Sequence, residues 1–285
     1  MNGARHGFEV VVLRGGARSI RSLHHGETMH VGSDPVTESS RLHAGQLGIA
    51  EKALSWKGPG PFVIWDVGLG PAANALAALD AMDRVFGASP SRPAVELHSF
   101  EIATEVLEFA LGHAGELGYL AGREASLREL LGRGECRPAP GLLWRLHRGD
   151  FSRGHADAPA PSAVMFDPYS PSRNPEMWNL ETFGRLRDAA SPSGCVLSNY
   201  TRSTSVRVTM LLAGWCVGRG IATGEKEETT VAVTDRDLLA APFEVSWLAR
   251  VRSSTSAAPL IGRNPSKAPI SREDYALLEA HPQFR

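Results

Sequence analysis

The 285-residue chain is 42% hydrophobic and 21% charged, which is the composition of an ordinary globular protein. Its net charge of −1 provides no overall field to attract nucleic acid or an acidic membrane, so any basic surface has to be local. The three cysteines, Cys136, Cys195 and Cys216, are widely spaced and form no CxxC pair, which argues against a disulfide framework and a zinc knuckle. No run approaches the roughly 20 apolar residues of a membrane span, and we expect a soluble cytoplasmic protein.

The N-terminal part predicts a β-hairpin followed by a helical segment. Residues 8–23, FEVVVLRGGARSIRSL, contain two strand-like runs around the turn Gly15-Gly16. The pattern becomes helical from about Thr37, and a Gly-Pro break follows at 58–61. We therefore expect residues 1–57 to form a β-hairpin and a segment that covers a cofactor.

From residue 58 onwards, short apolar runs alternate with helical patterns. Five runs predict strands, at 61–70, 94–101, 142–150, 163–167 and 194–200, and residues 216–234 predict a closing hairpin. This alternation predicts an α/β fold with a parallel, Rossmann-like sheet, in which the hairpin adds an antiparallel strand at the edge. We expect this core to span 58–235. Residues 236–285 are predicted to be an irregular tail with one short helix capped by Ser271.

Carboxylates end four of the five predicted strands: Asp66, Glu101, Asp150 and Asp167. Parallel strands bring their carboxyl ends to one edge of the sheet, which is where such folds bind ligands. A single acid there would be an ordinary loop residue. Four at equivalent positions favour a ligand site.

The first of these strand ends continues into a glycine-rich turn, DVGLGPAAN, with Gly68, Gly70 and Ala73 in a G-x-G-x-x-A pattern. Such turns let the backbone approach a ligand at the positive end of a helix, and they fit both dinucleotides and S-adenosylmethionine. In either case Glu101 is suited to accept from ribose hydroxyls. It lies 31 residues after Gly70 rather than the roughly 20 of a dinucleotide fingerprint, and Asp150 is suited to accept from an adenine amino group. Both features favour S-adenosylmethionine.

The fourth strand ends in Asp167-Pro168-Tyr169, similar to the Asp/Asn-Pro-Pro-aromatic loop of amine methyltransferases with one proline missing. An aspartate with an ordinary pKa near 3.9 is a poor base toward an alkylammonium ion. We therefore expect Asp167 to orient a neutral amine and to stabilise the positive charge that arrives on its nitrogen. Tyr169 and Trp178 are candidates for the walls of an acceptor pocket, although core packing is an equally good interpretation of Trp178.

Several segments together resemble the methyltransferase domain of the MnmC family, which modifies the tRNA wobble uridine. The most specific one is FDPYSPSRNPEMW, ending at Trp178. It is accompanied by Pro-Ser-Gly at 192–194, the Thr/Ser-rich turn at 200–203, the helix end at 213–215, and a segment in which Glu38 precedes His43, the latter at a place that is aromatic in the family. The likeness covers about residues 25–234. The sequence as given contains no flavin-oxidase region, so the resemblance implies the stand-alone, MnmD-like form.

The resemblance implies a class I methyltransferase sheet, S-adenosylmethionine as the cofactor, and methylation of the 5-aminomethyl group of (2-thio)uridine 34 in tRNA. It implies that Asp167 and Tyr169 are catalytic and that Trp178 and Arg202 contact the substrate. The expected cofactor site consists of Glu38, Asp66, Gly68, Gly70, Asn74, Glu101, Gly149, Asp150, Asp167 and Pro168.

The charge pattern bears on the expected tRNA partner. Where the family has a basic stretch, this chain has GEKEE, whose acids would repel phosphate: Glu225, Glu227 and Glu228. Arginines elsewhere are candidates to compensate: Arg14, Arg18, Arg21, Arg202 and Arg207. The alternatives are therefore methylation of another amine, in a small molecule or a protein, an NAD(P)-dependent dehydrogenase, or an inactive adaptor. We expect no metal at the histidines of segment 24–30, because no acid or cysteine completes a ligand set.

Overall fold

The computed structural model describes residues 7–30, 34–87, 92–153, 155, 157–223, 227–263 and 267–285. An antiparallel three-stranded sheet opens the chain, with strands β1 (Phe8–Val12), β2 (Arg18–Ser22) and β3 (Glu27–Thr28). The first two strands form the expected hairpin, with Phe8 opposite Ser22 and Val12 opposite Arg18. The short third strand extends this small sheet and leads into the helical segment that precedes the core.

The central sheet has eight strands. They are β4 (Phe62–Val67), β5 (Val95–Glu101), β6 (Glu135–Ala139), β7 (Leu142–Arg148), β8 (Ala163–Phe166), β9 (Val196–Asn199), β10 (Cys216–Gly220) and β11 (Thr229–Val233). Their spatial order is β10-β11-β9-β8-β4-β5-β7-β6. The five strands from β9 to β7 are parallel, whereas β11 runs antiparallel between β9 and β10. The predicted Rossmann-like sheet with an edge hairpin is confirmed, and the antiparallel strand lies one place in from the edge.

Helices follow the strands in alternation. They are α1 (Pro35–Ser39), continued by a π-helical turn (Ser40–Gly45), then α2 (Ile49–Ser55), α3 (Ala73–Phe86), α4 (Glu105–Gly112), α5 (Ala114–Leu117), α6 (Glu124–Arg133), α7 (Leu180–Ala189), α8 (Thr204–Leu212), α9 (Trp247–Ser253) and α10 (Arg272–Glu279). Short 3-10 turns cover Pro175–Trp178, Arg236–Leu238 and Pro282–Phe284. Within the described part of the chain, no helix is long and apolar enough to cross a membrane.

Strand β4 shows why the central strands are continuous apolar runs. All six of its residues are buried. Phe62 and Ile64 belong to one hydrophobic core and Val63 and Trp65 to the other, so the strand is covered on both faces. A parallel sheet packed on two sides requires this pattern. Asp66, the acid near the end of this strand, therefore lies between two hydrophobic cores.

Two elements differ from the sequence-based expectation. Strand β6 pairs with β7 at the far edge of the sheet, and its sequence ECRPA contains a proline, which an edge strand tolerates. The stretch 247–253, expected to be irregular, forms α9, whose Trp247, Leu248 and Val251 are buried in the second core. Helix α10 begins as predicted, with the Ser271 side chain accepting from the backbone of Asp274.

Candidate active site

The glycine-rich turn between β4 and α3 lies against the loop that follows β8. Gly68 has a φ of +90°, and a Cβ added there would lie 2.8 Å from the Asp167 carbonyl oxygen. Gly70 also has a positive φ, +51°, and so does Ala72, at +69°, where a side chain is disfavoured. The turn is therefore held in a conformation that only small residues permit, in contact with the candidate catalytic residue.

Glu101 ends β5 and binds the glycine turn directly. Its Oε2 accepts from the Gly70 backbone N–H at 2.9 Å, and its Oε1 accepts from the N–H groups of Ile102 at 2.9 Å and Ala103 at 3.1 Å. Burial raises the pKa of this carboxyl above its ordinary value, while the three backbone donors act in the opposite direction. The sequence placed Glu101 at the ligand edge, and the structure brings it to the turn.

Asp66 is fully buried one residue before the end of β4. Its Oδ2 accepts from Ser99 Oγ at 2.8 Å, and Ser99 Oγ in turn accepts from Trp144 Nε1 at 2.9 Å. Burial raises the pKa of Asp66 to about 8. Within the described chain its Oδ1 has no hydrogen-bond partner. A carboxyl in this state is largely protonated at neutral pH.

Asp167 lies just after β8, beside the start of α3. Its Oδ2 accepts from Asn74 Nδ2 at 2.7 Å. His43, on the π-helical turn, places Nε2 3.9 Å from the same oxygen, and its Nδ1 is 2.7 Å from Ser198 Oγ on β9. Two other segments, the start of α3 and the π-helical turn, thus approach this carboxylate, and Ser198 on β9 contacts the histidine ring. We refer to His43, Asp66, Asn74 and Asp167 as the Asp167 cluster.

The Asp-Pro-Tyr loop is braced from two sides. Tyr200 donates its hydroxyl to the Pro168 carbonyl at 3.1 Å, and Trp178 Nε1 donates to the Tyr169 carbonyl at 2.8 Å. From the N-terminal sheet, the His25 ring packs on the Tyr169 ring with centroids 4.3 Å apart. Glu27 accepts hydrogen bonds from the Ser170 hydroxyl and, at 3.3 Å, from its backbone N–H. The small sheet therefore holds the loop in place.

The other predicted site residues have the following surroundings. The Trp178 ring is fully buried against Phe166, Phe183 and Tyr200, so a contact with an acceptor stays a prediction. Asp150 uses Oδ1 to accept from Ser152 and Oδ2 to pair with Arg153 at 3.1 Å. Glu38 Oε2 lies 4.0 Å from His30 Nδ1. Gly149 donates its N–H to the Glu101 carbonyl at 3.0 Å, and Arg202 is exposed.

The structure shows that part of the acidic charge of the last hairpin is compensated by arginines. Glu228 is bound by two arginines, at 2.8 Å from Arg207 Nη1 and 2.8 Å from Arg219 Nε. Its charge is therefore compensated within the fold, while Glu225 lies outside the described residues. Arg207 is fully buried, so the prediction that it could contact phosphate is wrong. Arg18 and Arg21 lie within 4.0 and 3.8 Å of Glu116 and Glu9 at the surface.

Sequence reasoning did not assign site roles to Ser99, Ser198 or Tyr200, and it noted His43 only for its place in a family motif. Ser99 and Ser198 are strand residues whose side chains point to the site because of strand register, which a single sequence does not reveal. Tyr200 follows a predicted strand end, and this position was the available signal.

The site has features that fit a polar cofactor. Asp66 Oδ1 and Asn74 Oδ1 are buried and, among the described residues, lack hydrogen-bond partners. Both belong to residues that flank the glycine turn, in which the three positions with positive φ are Gly68, Gly70 and Ala72. Buried polar atoms are normally paired, so these atoms indicate a missing polar group. In the described chain no group of three or more histidine, cysteine or acidic side chains is arranged to hold a metal ion.

Comparison with known proteins agrees with this geometry. Residues 147–235 match a family model described as S-adenosyl-L-methionine-dependent methyltransferase. The chain is 29% identical over 244 residues to the tRNA 5-methylaminomethyl-2-thiouridine biosynthesis bifunctional protein MnmC of Ralstonia nicotianae, and 27% identical over 217 residues to that of Methylibium petroleiphilum. These alignments cover 78% and 71% of this chain but only 31% of each relative.

A crystal structure of MNMC2 from Aquifex aeolicus matches with a TM-score of 0.69 at 23% identity, covering 98% of this chain and 85% of that one. At this identity the match establishes the fold. The family model over residues 147–235 and the two relatives support an S-adenosylmethionine-dependent methyltransferase domain. This domain is related to MnmC, so the resemblance seen in the sequence is confirmed. The family and the fold imply S-adenosylmethionine as the cofactor and argue against the dehydrogenase alternative.

Proposed function

We propose that this protein methylates an amine nitrogen, and that its acceptor is the 5-aminomethyl group of (2-thio)uridine 34 in tRNA. The observation that carries the proposal is the position of Asp167. Its carboxylate lies at the carboxyl end of β8, hydrogen-bonded to Asn74 at 2.7 Å and adjacent to the glycine turn. The Asp-Pro-Tyr loop around it is similar to the Asp/Asn-Pro-Pro-aromatic loop of amine methyltransferases, with one proline missing.

In this proposal the residues of the chain have separate roles in the methyl transfer. When bound, the cofactor would supply an electrophilic methyl group on a sulfonium. The nitrogen lone pair would form the new N–C bond, and the S–C bonding electrons would remain on the neutral thioether sulfur. Asp167 accepts an N–H of the neutral amine, aims its lone pair, and stabilises the positive charge that the nitrogen gains before it loses a proton to solvent. Tyr169, braced by His25, limits where the acceptor carbon lies.

The cofactor side of the site is proposed in the same way. Glu101 accepts from ribose hydroxyls, and the turn with Gly68 and Gly70 permits a close approach of the backbone. Asp150, Gly149 and Glu38 contact the other parts of the cofactor. Asp66 Oδ1 and Asn74 Oδ1, which have no hydrogen-bond partner among the described residues, bind its polar groups. Glu101 already accepts from Gly70, so the carboxylate is oriented before any ligand arrives.

Two features support an RNA acceptor in particular. The rings of His25 and Tyr169 pack at a tilt of 34°, and His24 lies edge-on at 4.8 Å from His25, so together they offer aromatic rings of the kind on which bases stack. Arg173 lies beside Gly26 at the same turn and supplies a positive charge for phosphate. The internal pairing of Glu228 removes part of the acidity that argued against tRNA.

The test is a methyl-transfer assay with tRNA that carries the free 5-aminomethyl group, using labelled S-adenosylmethionine. We expect transfer to uridine 34 by the wild-type protein. Asp167→Asn should lose about 100-fold or more of the turnover, the range found when one preorganised electrostatic group is removed. The variant should still bind S-adenosylhomocysteine in calorimetry, because the side chain keeps its size and its contact with Asn74.

The free 5-aminomethyluridine nucleoside is the control acceptor. Transfer to the free 5-aminomethyluridine nucleoside at a rate equal to that with tRNA would favour the small-molecule alternative. Absence of transfer to either acceptor, in a protein that binds S-adenosylhomocysteine, would contradict the proposed substrate. Unchanged turnover in Asp167→Asn would contradict the role of Asp167.

A further inference from the structure

His43 is the least explained member of the Asp167 cluster. Its side chain is fully buried, and among the described residues its Nε2 has no hydrogen-bond partner. This atom lies 3.9 Å from Asp167 Oδ2, which is too long for a hydrogen bond but close enough to become one after a small movement. Catalytic hydrogen bonds are often long in ligand-free structures and shorten when the site is filled.

The backbone that carries His43 has an unusual geometry. His43 lies on the π-helical turn Ser40–Gly45, a geometry that is uncommon and that occurs frequently at functional sites. A phenylalanine at this position would fill much of the same space without donating a hydrogen bond. This chain therefore adds a donor where an apolar ring would satisfy packing.

The two ring nitrogens have different surroundings, and these select one tautomer. Nδ1 is 2.7 Å from Ser198 Oγ, and a hydroxyl is able to donate or to accept. Nε2 faces a carboxylate oxygen, which is an acceptor only. A lone pair on Nε2 would repel that oxygen, so the proton belongs on Nε2, and Ser198 donates to Nδ1.

The ring is also neutral. Burial, together with the neighbouring His30, lowers the pKa of His43 to about 3. A neutral imidazole donates to the carboxylate without cancelling its charge, so that charge remains for the acceptor nitrogen. Asp66 and Tyr200 also interact electrostatically with Asp167, and His30 lies 4.0 Å from Glu38.

From this geometry, and resting on the proposed function of Asp167, we propose that His43 is a positioning residue. Held by Ser198 in its Nε2–H tautomer, the ring donates to Asp167 Oδ2 and keeps the carboxylate ionised and fixed beside Asn74. The hydrogen bond favours the charged form of Asp167, so its removal should raise the pH at which Asp167 takes up a proton.

The experiment measures affinities for S-adenosylmethionine and S-adenosylhomocysteine by calorimetry across a range of acidic pH, so that no acceptor is needed. The first ligand carries a sulfonium charge and the second does not, so the ratio of their affinities reports the charge of the nearby carboxylate. In the wild type the preference for the charged ligand should fall as Asp167 protonates. In His43→Phe the midpoint should move upward by about one pH unit.

Three further variants make the result specific. Ser198→Ala removes only the tautomer-fixing hydroxyl, is expected to fold, and should move the midpoint in the same direction by a smaller amount. His98→Phe is the matched control, because His98 is a buried histidine whose ring nitrogens lie 2.8 Å from His147 and 3.0 Å from Glu96, and neither contact is to a member of the Asp167 cluster. Its midpoint should equal that of the wild type. Asp167→Asn should remove the pH dependence of the preference.

The outcomes separate the two proposals. An unchanged midpoint in His43→Phe, or in Ser198→Ala if the former does not fold, overturns the role of His43 while leaving Asp167 in place. A preference that still depends on pH in Asp167→Asn overturns the assignment of Asp167 and, with it, the proposed function. An equal shift in His98→Phe shows a general effect of losing a histidine and also overturns the inference.

Discussion

Two buried polar clusters of this protein differ in how completely their hydrogen bonds are made. The Arg207 cluster consists of Arg207, Glu228, Thr229, Thr230 and Phe243. There the guanidinium donates to Glu228 at 2.8 Å, to the Thr229 carbonyl at 2.9 Å and to Thr230 Oγ1 at 3.0 Å, and it lies 4.7 Å from the centre of the Phe243 ring. In the Asp167 cluster, by contrast, three buried atoms have no partner within the described chain: Asp66 Oδ1, Asn74 Oδ1 and His43 Nε2.

The difference separates a polar group that stabilises the fold from one that is arranged for a ligand. Each nitrogen of Arg207 is used, so nothing in its cluster calls for a further molecule. The Asp167 cluster contains unpaired atoms, which cost stability unless a partner is supplied. It also lies at the carboxyl ends of the parallel strands, where this type of sheet binds ligands. The predictions below test this contrast.

The largest effect is expected from removing the centre of the completed network. Arg207→Ala leaves Glu228 and the Thr229 carbonyl without their buried donor, and breaking a buried pair in this way costs about 3–5 kcal/mol. The free energy of unfolding is measured by urea titration with tryptophan fluorescence. A loss of about 1 kcal/mol, as for a surface pair, would contradict the structural role of the cluster.

The same variant also tests the separation of the two clusters. Saturating S-adenosylhomocysteine at about 100 times its Kd should stabilise the wild type by about 2.7 kcal/mol, because it binds only the folded state. The Arg207→Ala variant should gain the same increment, since the Arg207 cluster supplies no ligand-binding atom. A clearly smaller increment would mean that the two clusters are coupled.

The second prediction concerns Asp66, whose pKa in the folded state is raised by burial from 3.8 to about 8. Between these values the folded protein holds a proton that the unfolded chain has lost. Stability from this group is therefore complete below the unfolded pKa and falls as pH rises through the folded pKa, by up to about 1.4 kcal/mol per pH unit. Asp66→Asn keeps the neutral shape and should lack this slope.

Urea titrations of wild type and Asp66→Asn at several pH values between these two pKa values provide the measurement. The variant should become the more stable of the two as the pH approaches 8, because only the wild type must then take up a proton on folding or carry a buried charge. Parallel pH profiles for the two proteins would show that Asp66 titrates in the native state as it does in the unfolded chain.

Much of this organisation was accessible from the sequence, for a physical reason. Central strands of a parallel sheet are apolar on both faces, so the carboxylates that end them stand out as breaks in the pattern. The sequence pattern therefore predicts Asp66, Glu101 and Asp167 at one edge of the sheet, and the alternation with helices predicts that the central strands are parallel.

The remaining features depend on contacts that local pattern does not encode. The sequence predicts Arg207 to be a surface charge on an amphipathic helix. In the structure it is fully buried, and the ion pair that compensates its charge is with Glu228, 21 residues away. His43 and Ser198 lie 155 residues apart, and their hydrogen bond depends on how the N-terminal segment crosses the sheet. Helix α9 is only seven residues long, and its three buried residues are too few to define a period.

The smallest effect is expected at Arg219, the second partner of Glu228. Its Nε lies 2.8 Å from the same carboxylate that Arg207 binds, but 64% of its side chain is exposed against 1% for Arg207. Exposed ion pairs contribute about 0.2–1 kcal/mol, and salt weakens them further, so Arg219→Ala should cost no more than this. The measurement is urea unfolding at low and high salt, beside Arg207→Ala. Equal losses in the two variants would mean that burial does not set the value of these pairs, and that the carboxylate of Glu228 rather than the guanidinium of Arg207 is the centre of the cluster.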